Sequence, residues 1–278
     1  MISGANGLIG SALCNRWKKS GHFVAAVQRH DPHAPYYCNW QTLPQDLHAF
    51  EGFDLFIHLA GESIAGIRWT ARKKTRLMKE RSLSNQICQQ LIMKLQHPPK
   101  QIIIASGVGY YGADGSHQCD ENSSKGCSFL SDLASAIETG WKNFPIPTVL
   151  LRIATVMNMK GGALKKIAAP WKFKILFYFG SQHHFFPYIM LEELIDLFDF
   201  IVKKMPVAGV INACSKEPRT QGELFQKLSH DHKILCKLTL PRFLLILLMG
   251  DLAKETVLID QKVVPQRLIA MGFFQNRP

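Results

Sequence analysis

The sequence predicts an α/β protein: a doubly wound parallel sheet with a smaller, mostly helical lobe attached. Three observations carry this. Short β-rich apolar runs alternate with stretches of helical periodicity. The chain opens "MISGANGLIGSAL", with Gly4, Gly7 and Gly10 at the spacing of a strand-to-helix turn around a pyrophosphate. The 278 residues, 47% hydrophobic and 19% charged, suffice for one large domain or two intimate ones with a sizeable core.

Taken in order, the elements agree with that class. After the glycine loop, Leu8, Ile9, Ala12, Leu13 and Trp17 follow a helical period, and Lys18, Lys19 and Gly21 mark its end. "HFVAAVQRH" reads as a buried strand and "FDLFIHLAG" as the next. A basic helix follows, on which Leu83, Ile87, Leu91 and Leu95 recur every four residues as one apolar ridge. Its charged residues, from Arg68 to Arg81, read as a solvated face. "KQIIIASG", "TVLLRIATV" and "AGVINAC" are three further strands. Residues 1–156 are therefore expected to form a Rossmann-like nucleotide-binding domain to which 187–213 returns. Residues 157–186 and 214–278 are expected to form a substrate-side lobe. "PRFLLILLMGD" is too short to span a bilayer and reads as a core or interface helix.

Composition narrows the function. A net charge of +12 favours anionic partners such as a phosphorylated cofactor, but no nucleic-acid reading module is visible, so no nucleic-acid partner is expected. The seven cysteines are scattered, with no CxxC pair and no Cys/His cluster at zinc spacing. His183 and His184 lack adjacent carboxylates and read as loop residues, so no metal site is expected. With no basic-then-apolar leader, a reducing cytoplasmic setting is the expectation.

The nucleotide loop has a physical logic. Gly4 permits the tight turn, Gly7 lets backbone approach the pyrophosphate, and Gly10 lets helix pack on strand. Leu8, Ile9 and Gly10 begin the helix, whose free amides and positive dipole end suit phosphate. At the end of the second strand, where NAD sites usually place a carboxylate, stands Arg29, suited to a 2′-phosphate. NADP is the expected cofactor, with NAD the alternative through Asp31.

"GANGLIG", "HLAGESIAG", "RWTARK", "ASGVGYYG" and "LRIATV", in this order, resemble the extended short-chain dehydrogenase/reductase superfamily, and within it an atypical epimerase-like subgroup. The tail "LPRFLLILLMGDLAKETVLIDQKVVPQRLIAMGF" resembles that subgroup's small C-terminal domain. Relatives carry a few more residues before the glycine loop, so the expectation is either a clipped first strand or a start that lies upstream of Met1. The resemblance implies that Gly4, Gly7 and Gly10 hold pyrophosphate, that Arg29 selects NADP, and that Leu59, Ala60 and Gly61 line adenine and ribose. Glu62, Arg81 and Ser106 are counted in the same cofactor-binding set. Glu62, Arg68 and Trp69 match a subgroup signature.

The resemblance also implies that Ser106 binds a substrate carbonyl or hydroxyl. Active superfamily members use Tyr-xxx-Lys for proton transfer. Here Leu130 and Ala134 occupy those places, and Met190 stands where relatives show histidine. Tyr110, Tyr111 and Glu62 are the alternative proton carriers, each with a structural reading beside it. Two functions follow as expectations. One is an NADP-dependent oxidoreductase or epimerase-like enzyme acting on a small molecule, with Ser106 and Tyr110 as candidate catalytic residues. The other is a non-catalytic NADP-binding sensor or scaffold.

Overall fold

The computed structural model describes residues 1–29, 31, 33–64, 66, 68–112 and 117–275. Six parallel strands make the central sheet: β1 (Ile2–Ser3), β2 (Ala26–Val27), β3 (Leu55–His58), β4 (Gln101–Gly107), β5 (Thr148–Ile153) and β6 (Gly209–Ala213). Their spatial order is β6-β5-β4-β3-β1-β2. The chain leaves β1 towards β2 on one side and returns to β3 on the other. That reversal opens a crevice at the carboxyl ends of β1 and β3, the usual ligand position in such sheets.

β1 is short, yet it is laddered on both sides. Ile2 N–H donates to the Ala25 carbonyl at 2.8 Å, and Ile57 N–H donates to that of Met1 at 3.0 Å. The run "HFVAAVQRH" yields only two ladder residues and a Gln28–Tyr37 bridge, with Phe23 75% exposed. The expected buried strand is present, with Ala25 and Val27 buried, but it is short: an edge strand pairs on one side only, here with a two-residue neighbour. "TVLLRIATV" also divides. β5 stays in the sheet, while Thr155–Asn158 departs to pair with Tyr188–Met190.

Both faces of the sheet are covered, as parallel strands require. Helix α1 (Leu8–Lys19) and the helix Leu191–Lys203 bury Leu13, Leu194 and Phe198 against Ile57, Ile103 and Leu151. Helix α2 (Ala71–Lys94) presents Ile87 and Leu91, with Cys88 and Ile92, to Phe56, Ile102 and Leu150 on the opposite face. Thr70 caps α2 by accepting from the Lys73 amide at 3.2 Å. Helix α3 (Phe129–Glu138) begins with a capping box between Ser128 and Ser131.

In the smaller lobe, the strands Ile175–Phe179 and Cys236–Leu240 pair in parallel over a core of Trp171, Tyr178, Phe186 and Phe225. The C-terminal segment returns to the sheet. Lys262–Val263 pairs with Gln118–Cys119, and the Arg267 guanidinium donates to the carbonyls of Val210 (2.9 Å) and Ala208 (2.5 Å). Within the helix Arg242–Met249 only Leu245 is buried. Ile246 and Met249 pack partly buried against the cluster that holds Leu245, while Phe243, Leu247 and Leu248 stay exposed. Of the two readings, core or interface helix, that exposed side fits the second. Among the described residues no helix is long and apolar enough to cross a membrane.

Candidate functional site

The glycine loop forms the floor of the crevice. Gly4 has φ +69°, and a Cβ there would lie 2.8 Å from the Leu59 carbonyl. A Cβ on Gly10 would lie 2.7 Å from the Ala5 Cα, so only glycine lets α1 close on the turn. Gly7 differs: its φ is −76°, and an added Cβ would meet only the Gly4 oxygen, at 3.2 Å. Its outer side is open. Gly7 caps α1 with no side-chain bond, no acidic residue stands in the first turn, and the amides of Leu8, Ile9 and Gly10 have no intrahelical acceptor. This cradle fits a pyrophosphate.

The wall opposite is the end of β3, held by a buried chain of hydrogen bonds. Ser3 Oγ accepts from the amides of Leu59 (3.1 Å) and Ala60 (3.2 Å), so its own proton goes to His58 Nδ1 at 2.9 Å. His58 is therefore the Nε2–H tautomer, donating to Ser84 Oγ at 3.1 Å. Burial, with Arg81 adding repulsion, pushes the imidazole down to about 3, so it is neutral. Arg81 donates to the carbonyls of Ala60 (3.1 Å) and Glu62 (2.9 Å), and its guanidinium occupies the space a Gly61 side chain would need. Arg81 thus leaves the solvated face predicted for it and pins Leu59–Glu62. Its Nε is buried with no protein partner.

Glu62 points elsewhere. Its carboxylate forms a fork with Arg76, which holds it below the usual carboxylate range. This is the salt-bridge arrangement, and it does not equip Glu62 as a general base. At the ribose end, Arg29 is exposed just beyond β2 and its bridge residue. The Asp31 carboxylate instead accepts from the His33 amide at 3.0 Å, capping its own turn. His30 and Pro32, and Ala65 of the "HLAGESIAG" motif, lie outside the described residues.

At the end of β4 a second buried network appears. Ser106 Oγ–H donates to Glu138 Oε1 at 2.9 Å. Arg152 on β5 meets the same carboxylate with two nitrogens, at 2.8 and 2.7 Å, and both side chains are 2% exposed. Burial alone would depress the guanidinium's pKa; the carboxylate outweighs it, and the net shift is upward. Arg152 also donates to Tyr111 Oη (2.9 Å), which donates to Asn212 Oδ1 (2.7 Å). Burial pushes the Tyr111 phenol up, making it a structural donor. Tyr110 is half-buried, with the Arg152 guanidinium carbon 3.4 Å from its ring centroid.

The structure therefore brings Ser106, Tyr110 and Tyr111 together around Arg152. With its proton committed to the Glu138 carboxylate, the Ser106 hydroxyl is left with acceptor lone pairs. Leu130 packs on Gly109, where an added Cβ would come within 2.9 Å of it, and Ala134 is buried. Sequence reasoning missed His58, Ser84, Glu138 and Arg152. Trp69 is structural: buried, it donates to the Ile64 carbonyl at 2.8 Å and meets Phe129 edge-on. Among the described residues no cluster of His, Cys, Asp and Glu could hold a metal.

Comparison with known proteins gives a consistent picture. Residues 1–128 match the NAD dependent epimerase/dehydratase family, and residues 240–274 match a domain of unknown function (DUF1731). An epimerase family protein of Staphylococcus aureus strain N315 is 28% identical over 98% of this chain and 93% of its own. The human epimerase family protein SDR39U1 is 28% identical over 100% of this chain and 95% of its own. The crystal structure of that human protein (isoform 2) with NADPH superposes with a TM-score of 0.86 at 26% identity, covering 98% and 92% of the two chains. A nucleoside-diphosphate sugar epimerase of Corynebacterium glutamicum shares the fold, at a TM-score of 0.76 and 23% identity, over 98% of this chain and 54% of its own.

The two glycines separate binding from folding. Gly7→Val is expected to leave a folded protein that no longer binds the dinucleotide, because the added methyls fill the open side of the loop. Gly10→Ala is expected to unfold or severely destabilise it. Thermal melts with calorimetric titration of NADPH check both, and a folded Gly7→Val protein that binds undiminished contradicts the cradle.

His58 makes stability pH-dependent. Its folded pKa, about 3, lies below its unfolded value of 6.5, so the unfolded chain binds more protons between those limits. Stability is expected to fall by about 1.4 kcal/mol per pH unit as pH drops through this window. Urea unfolding between pH 6.5 and 5 should show that slope, and His58→Gln should remove it; an unchanged slope in the variant refutes the assignment.

Proposed function

We propose that this chain, an atypical epimerase-like member of the extended short-chain dehydrogenase/reductase superfamily, binds NADPH and is an oxidoreductase or epimerase-like enzyme acting on a small molecule, with Tyr110 as proton carrier. The observation that carries the catalytic part is the Arg152 guanidinium, 3.4 Å from the Tyr110 ring, beside Ser106 at the carboxyl ends of the strands. The cofactor part rests on the glycine cradle, on Arg29, and on the human relative crystallised with NADPH.

In this reading the amides of Leu8, Ile9 and Gly10 hold the pyrophosphate, and Arg29 forks onto the 2′-phosphate. Leu59, Ala60 and Gly61, fixed by Ser3 and Arg81, line adenine and ribose. The bound cofactor supplies or accepts a hydride. Ser106 accepts a hydrogen bond from a substrate hydroxyl and so orients it. Tyr110 gives or takes the proton at its phenol oxygen, and the fixed cation against its ring favours negative charge developing there. Arg152 is the positioning residue behind it, kept charged by Glu138.

A non-catalytic sensor is the second reading. Its support is the packing of Leu130 and Ala134, which closes the face that the usual Tyr and Lys would use. Tyr110→Phe separates the two. The enzyme reading expects cofactor affinity to persist while turnover of a carbonyl and sugar-nucleotide panel, read by NADPH absorbance, falls about 100-fold or more. A panel with no turnover in the parent protein, at full NADPH binding, favours the sensor.

Cofactor choice is tested at Arg29. The parent should bind NADPH more tightly than NADH. Arg29→Glu should weaken NADPH roughly 10- to 100-fold, the worth of one charge-assisted contact, and reverse the preference. Equal calorimetric affinities for both cofactors in the parent refute the role given to Arg29.

A further inference from the structure

Charge is spread unevenly along this chain. No Asp or Glu occurs between Glu138 and Glu192, nor between Asp231 and Asp251. The smaller lobe brings these two acid-free stretches together through the parallel pairing of Ile175–Phe179 with Cys236–Leu240. At the start of that pairing the amides of Leu235 and Cys236 both donate to the Lys174 carbonyl, at 2.9 and 3.1 Å. Phe173 and Leu235, 69% and 80% exposed, therefore stand at the same end of the two-stranded sheet. Lys172, Lys174, Lys233 and Lys237 flank them and are exposed. Lys174 and Lys233 occupy left-handed turns, with φ of 62° and 47°. Leu238, on the strand Cys236–Leu240 itself, is exposed as well. The helix after it starts beyond the other end of the pairing, where Leu240 meets Phe179, and exposes Phe243 and Leu247, one turn apart, with Leu248 beside them.

We propose that this lysine-framed apolar end of the smaller lobe docks on an anionic lipid bilayer surface. Phe173 and Leu235 enter the boundary between headgroups and acyl chains, and the four lysines meet anionic headgroups. Neither feature alone would carry this. Exposed apolar side chains favour an apolar medium, which nucleic acid does not supply. A second copy of the chain would supply it, but would set these lysines against their own equivalents, on a molecule already carrying +12. An anionic bilayer meets both demands at once. The docking does not depend on the catalytic reading, since none of these residues belongs to the nucleotide crevice or to the Arg152 network.

The test is co-sedimentation of the full chain with vesicles of phosphatidylcholine alone and of phosphatidylcholine with about one-third phosphatidylserine. Binding is expected to the second and not to the first, with release at high salt. Lys172→Gln/Lys174→Gln should weaken partitioning more than tenfold, each lysine contributing roughly fivefold. Phe173→Ser/Leu235→Ser should weaken it at least as much, whereas Phe243→Ser/Leu247→Ser, beyond the other end of the pairing, should leave it unchanged. All six positions are exposed, so melting temperatures should hold and separate lost docking from lost folding. No binding to the charged vesicles, or equal binding to both kinds, overturns the proposal. So does a concentration-dependent dimer in analytical ultracentrifugation that Phe173→Ser/Leu235→Ser dissolves, since a second copy would then cover the patch.

Discussion

The buried ion pair between Arg152 and Glu138 organises the carboxyl edge of the sheet. Each ion loses several kcal/mol of hydration on burial, and attraction offsets this only when the geometry is good and the remaining hydrogen-bonding capacity is filled. Here both conditions hold. The guanidinium makes a two-point contact with the carboxylate, a third bond to Tyr111 and a face contact with Tyr110, while the carboxylate also accepts from Ser106. One interaction thus joins β4, β5 and α3, and through Tyr111 and Asn212 it reaches β6. Removing either partner would leave a buried charge, the most costly kind of defect such a core can carry.

The site departs from the pattern of the superfamily that the sequence resembles. Leu130, at the tyrosine's place, packs against Gly109, and Ala134, at the lysine's place, is buried. A fixed cation is nonetheless present, supplied from β5 instead of α3, and it sits under a phenol on the loop after β4. The chemical ingredients of a tyrosine held beside a positive charge recur with a different chain origin. Geometry of this sort, and not sequence position, decides what a site can do.

Much of the nucleotide half was legible before any coordinates. The triplet Gly4, Gly7 and Gly10, the end of α1 near Gly21, and the ridge containing Ile87 and Leu91 are local patterns, and local patterns survive folding. What the sequence hid was long-range. Ser3, His58 and Ser84 are ordinary residues until the sheet brings them within hydrogen-bond distance, and nothing in their spacing announces it. Arg152 and Glu138 did leave a signal: a lone arginine inside "TVLLRIATV" and a glutamate ending the apolar helix of "FLSDLASAIE". Two charges in otherwise buried runs demand partners. The brevity of β2 and the exposure of Arg242–Met249 were not readable, because apolar composition alone does not distinguish an edge or a docking surface from a core.

The C-terminal segment bears on the choice between enzyme and sensor. A protein that only senses a dinucleotide needs the crevice between β1 and β3 and the start of α1. Here the chain continues and clamps a different place. Buried Gln261 donates to the carbonyls of Val108 (2.9 Å) and Gly112 (2.6 Å), gripping both ends of the turn that carries Tyr110. Glu255 accepts from the first amides of α3, at 3.3 Å from Phe129 and 2.7 Å from Leu130. Asn212 Nδ2 donates to the Val264 carbonyl, which ties the same segment to the Arg152 network. Such a clamp fixes the turn that carries Tyr110 over its cation. Rigidity at that turn has value where a proton must pass at a set distance, and this weighs towards catalysis.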